Sequence, residues 1–280
     1  MRRLELVTLN SHPVFNFELE TLNFELSYEE RGELAYVRLA RPEKRNALTG
    51  AMLGRLGEIF AGVAARRDLR AVILCGEGPD FCAGTDISEL EGLDEAGARE
   101  KAVRGQEVCD AIEACGAPVI AAVRGAAAGG GCELALACHL RVAARGARFS
   151  LPETALGVIP AYGGTQRLAR AAGTARALAA MLAGDGVGAE EALRLGLVNR
   201  VVEEDGLTAA AESLARSIVE TSAPLAARAC LEAVTRGARM TLEDGLKLEA
   251  ELFARLFSTE DVREGTRAFL EKRKPDFKGR

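Results

Sequence analysis

The sequence predicts an α/β fold that is followed by a helical region. Between residues 34 and 140, short β-branched or apolar runs alternate with longer stretches whose apolar residues recur every three or four positions. Such alternation is typical of parallel strands joined by crossover helices. From residue 165 onward the pattern becomes almost purely helical. The chain has 280 residues and is 48% hydrophobic, which is ample for a buried core.

Three strands and one helix are the clearest elements of the first half. The strands are short runs rich in β-branched or apolar residues, namely LAYVRLA (34–40), RAVILCG (70–76) and APVIAAVRG (117–125). After the first strand, an Arg-Pro pair ends the extended backbone. The apolar residues of the next 20 positions then have helical spacing, and Thr49 is the candidate N-cap.

The remaining pattern is helical and divides the chain into three parts. A charged stretch at 88–116 predicts one helix or two, and GCELALACHL (131–140) predicts an apolar helix. We interpret residues 1–24 as an extension or edge hairpin, 25–221 as the core, and 222–280 as a C-terminal helical region. The apolar faces of the last region are too large for a lone appendage, so we expect them to pack on the core or on another subunit.

Composition excludes several classes of protein. A net charge of −5 disfavours a nucleic-acid binder, which usually needs a basic surface. Seven cysteines without paired CxxC spacing indicate reduced thiols in a cytoplasmic protein. No apolar stretch of about 18 residues lacks charge, and acidic residues near the N-terminus (Glu5, Glu18 and Glu20) argue against a targeting peptide. With only two histidines, carboxylates are the better candidates for acid-base chemistry.

Two stretches of small residues carry the candidate chemistry. FCAGTDISEL (81–90) turns sharply after a strand, and AAAGGGCELALAC (126–138) places three glycines before a helix whose N-terminus favours negative charge. The glycines do not match a dinucleotide fingerprint, and close helix packing alone would explain them equally well. Each stretch, however, would supply a free backbone N–H, and two such groups form an oxyanion hole.

Two glutamates strengthen the functional interpretation. Glu133 is the only charged residue of an apolar helix, where a carboxylate is costly to bury. Glu153 follows a proline in another apolar segment, although alone it could equally be a helix N-terminal acid or an ion-pair partner. Two carboxylates and two amide donors suit chemistry at a carbon next to a thioester, where charge builds on the carbonyl oxygen.

With these stretches and glutamates, the sequence resembles the crotonase superfamily, the enoyl-CoA hydratase and isomerase group. The resemblance spans about residues 26–280, and several motifs occur in the family's order. They are RPEKRNALT (41–49), FCAGTDISEL, PVIAAVRGAAAGGGCELALACHLRVA, FSLPETALGVIPAYGGTQRL (149–168), EALRLGLVNRVV and GTRAFLEKRKPDFKG. The resemblance implies a crotonase (ClpP-like) fold, a spiral of ββα repeats with a C-terminal helical region that forms trimers, commonly stacked in pairs as hexamers.

The resemblance also implies an activity and its residues. The oxyanion-hole amides would be those of Thr85 and Gly130, and the catalytic acids of a hydratase would be Glu133 and Glu153. The reaction would be reversible syn addition of water to 2-trans-enoyl-CoA, with Glu133 as base and Glu153 protonating C2. The two roles could also be shared or exchanged, because both carboxyl groups would contact one water. No metal and no cofactor are expected, since coenzyme A is part of the substrate.

The family binds the adenine and pantetheine of coenzyme A through backbone groups that correspond here to positions near Ala83 and the RNAL turn (45–48). The matching positions here are Arg45, Ala47, Ala83, Asp86, Ile87, Phe269 and Lys272. The last two match tail residues that reach coenzyme A in a neighbouring subunit, although a basic helix end is more often a solvated face. Two departures stand out: His139 replaces a usual aspartate, where we expect packing at the helix end, and Ala161 replaces a usual glycine.

Alternatives remain open at this stage. Isomerases that move a 3-enoyl double bond generally need one carboxylate, and other acyl-CoA reactions such as hydrolysis or decarboxylation occur on the same fold. RNA binding also occurs in the family, but here only Arg66, Arg67 and Arg70 cluster. The intact glutamate pair disfavours an inactive scaffold. Acyl chain length and pathway, whether fatty-acid oxidation, amino-acid breakdown or butyrate-type metabolism, do not follow from the sequence.

Overall fold

The computed structural model describes residues 25–280, and a six-stranded sheet lies at its centre. The strands of this sheet follow the order β1-β2-β3-β4-β6-β9, and a smaller sheet has the order β5-β7-β8. The strand bounds are β1 Leu26–Arg31, β2 Leu34–Leu39, β3 Ala71–Gly76, β4 Val119–Val123, β5 Ala126–Ala128, β6 Leu140–Ala144, β7 Arg148–Ser150, β8 Val187–Gly188 and β9 Arg200–Val202. The interpretation of residues 1–24 as an extension lies outside the described residues.

Ten α-helices follow or connect these strands in the described part of the chain. Their bounds are α1 Gly50–Ala65, α2 Glu95–Glu113, α3 Gly130–Ala137, α4 Gly164–Ala172, α5 Thr174–Leu182, α6 Ala189–Arg194, α7 Leu207–Thr221, α8 Pro224–Gly237, α9 Leu242–Leu256 and α10 Glu260–Leu270. None of the helices in residues 25–280 is both long enough and apolar enough to span a bilayer.

Helices bury the main sheet on both faces. β1 and β2 form an antiparallel hairpin, and every other neighbouring pair in this sheet is parallel. Side chains alternate along β2, so that Leu34 and Tyr36 pack toward α7 while Ala35 and Val37 join the larger core with α1, α2 and α3. Burial on both faces explains why the sequence shows continuous apolar runs for β3 and β4.

The predicted α/β class and the clearest elements are confirmed. The three predicted strands correspond to β2, β3 and β4, and the first predicted helix corresponds to α1. The Thr49 side chain caps α1 by accepting a 3.1 Å hydrogen bond from Met52 N. The charged stretch at 88–116 contains one α-helix, α2, after a short 3₁₀ turn at Ile87–Glu89.

Other elements differ from the prediction. The helix predicted over 131–140 ends at Ala137, because β6 begins at Leu140 and pairs with β4. The region after residue 165 is not wholly helical, since β8 and β9 add short strands to the two sheets. The predicted boundary near residue 222 falls between α7 and α8. That residues 222–280 form a separate region stays a prediction.

Candidate active site

Glu133 lies in the first turn of α3 and is only 1% exposed. Its Oε1 accepts hydrogen bonds from the backbone N–H groups of Gly164 (2.6 Å) and Tyr162 (2.8 Å). Burial raises the pKa of Glu133 to about 7, and the nearby charge of Glu153 adds to this increase while the two amides oppose it. The carboxylate is therefore held in place and titrates near neutral pH.

Glu153 begins the short 3₁₀ helix Glu153–Leu156, and its side chain points to the same region. Burial raises the pKa of Glu153. Its Oε2 is buried and makes no hydrogen bond among the described residues. A Cβ added to Gly129, which has a φ of 50°, would lie 3.1 Å from Oε1. A buried carboxylate oxygen without a partner is costly, which favours a role in binding substrate or water.

The FCAGTDISEL stretch forms the first elbow by pairing with two separate chain segments. Cys82 pairs with the strand β5 through hydrogen bonds to Ala126 and Ala128. On its other side, Leu48 N donates to Gly84 O and Asp86 N donates to Leu48 O. The N–H of Thr85 takes no part in this parallel bridge, and it has no hydrogen-bond acceptor in the described part of the protein.

The second elbow is the start of α3. Gly130 is the first helical residue, so its N–H has no acceptor within the helix. A Cβ added to Gly84 would lie 3.4 Å from Gly130 N and 2.9 Å from Ala128 O, which shows how closely the two elbows approach. Gly84 also has a φ of 105°, a conformation that favours glycine. The two predicted oxyanion-hole residues are thus neighbours.

Asn46 ties the loops beneath this site together, and the sequence reasoning missed it. The side chain is completely buried, and the backbone φ is 57°. Its Nδ2 donates to the backbone oxygens of Glu77 (2.8 Å) and Asp80 (2.9 Å), and its Oδ1 accepts from Arg41 N at 2.9 Å. The sequence signal was available: asparagine is one of the few non-glycine residues that tolerate a positive φ.

Five of the predicted coenzyme A contacts lie in these loops. Ala83 N donates to Arg45 O at 2.9 Å, and the Arg45 side chain pairs with Asp80 at 2.6 Å. Arg41 Nη1 joins the other loop residues by donating to Ala47 O (2.7 Å) and Asp86 Oδ2 (3.1 Å).

The last three predicted contacts, Ile87, Phe269 and Lys272, lie at exposed positions. Ile87, the fifth loop residue, is largely exposed beside Asp86. Phe269 and Lys272 lie at and just beyond the end of α10, and no hydrogen bond or ion pair among the described residues joins them to the elbows.

Tyr162 is the second residue that the sequence reasoning missed. The Thr85 hydroxyl donates a 3.0 Å hydrogen bond to Tyr162 OH, and the side chain is 3% exposed. Burial raises the pKa of Tyr162 to about 12, so the phenol remains neutral. One sequence signal is an aromatic residue next to two glycines in AYGG, a pattern that places a large ring at a tight turn.

His139 packs at the end of α3, as predicted. Its Nδ1 accepts a 2.9 Å hydrogen bond from Val119 N, and its Nε2 lies 3.1 Å from Glu113 O. Burial lowers the pKa of His139 to about 4, so the imidazole is neutral at physiological pH. Across residues 25–280, no cluster of histidine, cysteine and acidic side chains has the arrangement of a metal site.

Comparison with known proteins identifies the family of the chain. The model of the enoyl-CoA hydratase/isomerase family matches residues 29–280. A short-chain-enoyl-CoA hydratase of Clostridium acetobutylicum is 40% identical over 254 residues, which cover 90% of this chain and 97% of that protein. A crotonyl-CoA hydratase of Syntrophomonas wolfei is 39% identical over 250 residues, which cover 89% and 96%.

Solved structures have the same fold. The crystal structure of an enoyl-CoA hydratase from Bacillus anthracis superposes with a TM-score of 0.87 at 37% identity and covers 92% of this chain and 100% of that one. A crystal structure described as a putative enoyl-CoA hydratase from Streptomyces coelicolor gives 0.87 at 34% identity and covers 99% and 100%. The family match and these similarities show that the chain belongs to the enoyl-CoA hydratase/isomerase family of the crotonase superfamily and has its fold.

Proposed function

We propose that the protein is an enoyl-CoA hydratase that adds water reversibly to 2-trans-enoyl-CoA and produces 3-hydroxyacyl-CoA. One observation carries the proposal: two carboxyl groups with raised pKa values, the buried Glu133 and the half-buried Glu153, lie beside two neighbouring backbone amides. The hydratases named among the relatives, at about 40% identity over most of the chain, support the same activity.

The amides of Thr85 and Gly130 would bind the thioester oxygen. Attack of water at C3 moves the electrons of the double bond toward the carbonyl, which becomes an enolate. Preorganised N–H donors stabilise that charge most strongly where water is excluded. The N-terminus of α3 contributes a partial positive charge at the same place.

The two carboxyl groups would divide the proton transfers. Glu133 in its ionised form accepts a proton from water while the oxygen bonds to C3, and Glu153 in its protonated form delivers a proton to C2. With a pKa of about 7, Glu133 is partly ionised at neutral pH and can accept a proton, and the burial that raises the pKa of Glu153 favours the protonated form that a proton donor needs. This sequence of steps needs no cofactor besides the coenzyme A of the substrate.

We extend the proposal to substrate binding and assembly. The loop residues Arg45, Ala47, Ala83, Asp86 and Ile87 would hold coenzyme A. Phe269 and Lys272 would reach the coenzyme A of a neighbouring subunit in a homotrimer or a hexamer of two trimers. Phe269 is 84% exposed in the single chain, as a residue that reaches another subunit must be. We place the enzyme in the cytoplasm.

The structure offers little support for RNA binding. Arg66 forms ion pairs with Glu30 and Asp68, and Arg70 pairs with Glu33 and donates to the carbonyl of Val219. Acidic partners already neutralise most of the predicted basic cluster. A phosphate backbone would have to compete with these pairs for the guanidinium groups.

Hydration of crotonyl-CoA tests the proposal directly, through the loss of the enoyl thioester's ultraviolet absorbance. Glu133→Gln and Glu153→Gln should each lower kcat by about a hundredfold or more, because each removes one proton transfer. Glu204→Gln, on an exposed turn, is the matched control and should retain full activity. Failure of the wild type on crotonyl-CoA and longer enoyl-CoAs would contradict the proposal. If only Glu153→Gln lost activity, and the wild type isomerised 3-enoyl-CoA, the protein would instead be an isomerase.

A further inference from the structure

The ring of Tyr162 lies directly against the backbone of two helices. A Cβ added to Gly105 of α2 would lie 1.9 Å from Tyr162 Cδ1, and one added to Gly130 of α3 would lie 2.9 Å from Cε2. Real Cβ atoms do not approach other atoms so closely, so the ring occupies the space that these glycines leave. Tyr162 therefore contacts the residue whose amide forms one half of the candidate oxyanion hole.

The two ends of the Tyr162 residue are also fixed. The backbone N–H donates to Glu133 Oε1 at 2.8 Å, and the phenol oxygen accepts from Thr85 Oγ1 at 3.0 Å. Thr85 supplies the other half of the candidate hole. With its ring between α2 and α3 and its hydroxyl bound at the elbow, Tyr162 cannot rotate away without losing both the packing and the hydrogen bond.

The position of the ring has a consequence for the acyl group. A thioester oxygen bound by Thr85 N and Gly130 N would lie between two residues that Tyr162 contacts, Thr85 through its hydroxyl and Gly130 through its ring. The carbon chain extends from that carbonyl, and it needs an apolar cavity in proportion to its length. Tyr162 and the Thr85 side chain already fill the space between the elbow, α2 and α3.

We propose that Tyr162, held by Thr85, closes the acyl pocket and makes short-chain enoyl-CoA thioesters the preferred substrates. This inference rests on the proposed hydratase function, which it deepens by assigning the substrate class. Tyr162 is a specificity-determining residue, and its ring is the group that limits the length of the acyl chain.

The test compares kcat/KM for crotonyl-CoA and for trans-2-decenoyl-CoA. The wild type should prefer crotonyl-CoA, and Tyr162→Ala should raise the decenoyl-to-crotonyl ratio by about tenfold or more, because added methylenes gain apolar space. Tyr162→Phe keeps the ring and should leave the ratio within about threefold of the wild-type value. Tyr28→Phe also removes one phenol hydroxyl, which donates to Glu30 on β1, and is the matched control with unchanged kinetics.

Binding of the saturated thioesters butyryl-CoA and decanoyl-CoA, measured by calorimetry, separates this inference from the proposed function. Suppose that the wild type hydrates neither enoyl-CoA, and that its preference for butyryl-CoA over decanoyl-CoA in binding exceeds that of Tyr162→Ala. This result would refute hydration and support the role of Tyr162 in the pocket. An unchanged ratio in Tyr162→Ala, or a wild type that prefers the longer chain, overturns the inference. Binding of neither thioester overturns both. If Tyr162→Ala does not fold, Tyr162→Leu, whose side chain is shorter, replaces it with the same expected direction.

Discussion

The sheet core and the three C-terminal helices bury their apolar residues to very different extents. Every residue of β4 is buried, and α1 buries six side chains. In contrast, α8 buries only Pro224 and α9 only Leu252. The C-terminal region instead exposes large apolar side chains, namely Val234, Met240, Leu242, Leu246, Phe253, Phe257, Phe269 and Leu270.

This difference in burial fits two different tasks for the core and the C-terminal helices. The core must hold carboxylates and amides to within a fraction of an ångström, and dense packing supplies that rigidity. The helices expose these large apolar side chains, and a groove of about 560 Å³ lies between α8, α9 and α10. A partner surface is the simplest way to cover such a face, which supports the proposed assembly into oligomers.

The largest expected effect is on assembly. Phe253 is 62% exposed on α9. Phe253→Asp should dissociate the oligomer at micromolar concentration, because a charge buried at an interface weakens association by about 2 kcal/mol or more. Sedimentation velocity measures the change, with Glu251→Ala on the same helix as the control. An oligomer unaffected by Phe253→Asp would show that this face of α9 is not the interface.

The next effect concerns pH and the core. Because burial raises the pKa of Glu133 from 4.5 to about 7, folding favours its protonated form. The associated stabilisation is present below pH 4.5 and is lost as the pH rises through about 7.

Glu133→Gln removes this pH dependence. The free energy of unfolding of the variant should rise relative to the wild type between about pH 5 and pH 8, by up to about 3 kcal/mol. Urea denaturation at both pH values measures it, and Glu204→Gln should show no such trend. A difference that is constant with pH would mean that Glu133 titrates normally in the folded protein.

The smallest effect compares equivalent caps in the two regions. Thr49 caps α1 in the core, and Thr241 caps α9 by accepting from Asp244 N at 3.2 Å. Thr49→Ala should lower the free energy of global unfolding by about 1 kcal/mol. Thr241→Ala should mainly reduce hydrogen-exchange protection within α9. Equal loss of protection throughout the sheet in both variants would show that the two regions unfold as one unit.

The sequence predicts the elements whose pattern is local. The runs at β2, β3 and β4 and the spacing in α1 are visible without tertiary information. The strands of the small sheet have two or three residues each, too few for a period to appear, and their pairing depends on distant segments. The strand β6 was missed because it follows α3 after two residues, with no glycine or proline to mark the change.

The candidate site likewise combines features that the local sequence predicts with features that depend on distant segments. Glu133 is predictable because a lone charge in an apolar helix is anomalous, whatever the fold around it. Asn46 and Tyr162 act through backbone groups of other segments, and only folding brings those groups within reach. The pKa values of both glutamates likewise arise from burial, which the local sequence does not specify.

The proposed oxyanion donors, Thr85 and Gly130, would act through the main chain. Almost any substitution at residue 85 retains its N–H, and proline is the one exception. The acidic side chains, in contrast, are each one codon change away from being lost. If the proposed roles hold, evolution on this scaffold can exchange the proton-transfer groups and explore new reactions while the means of stabilising an enolate is inherited intact.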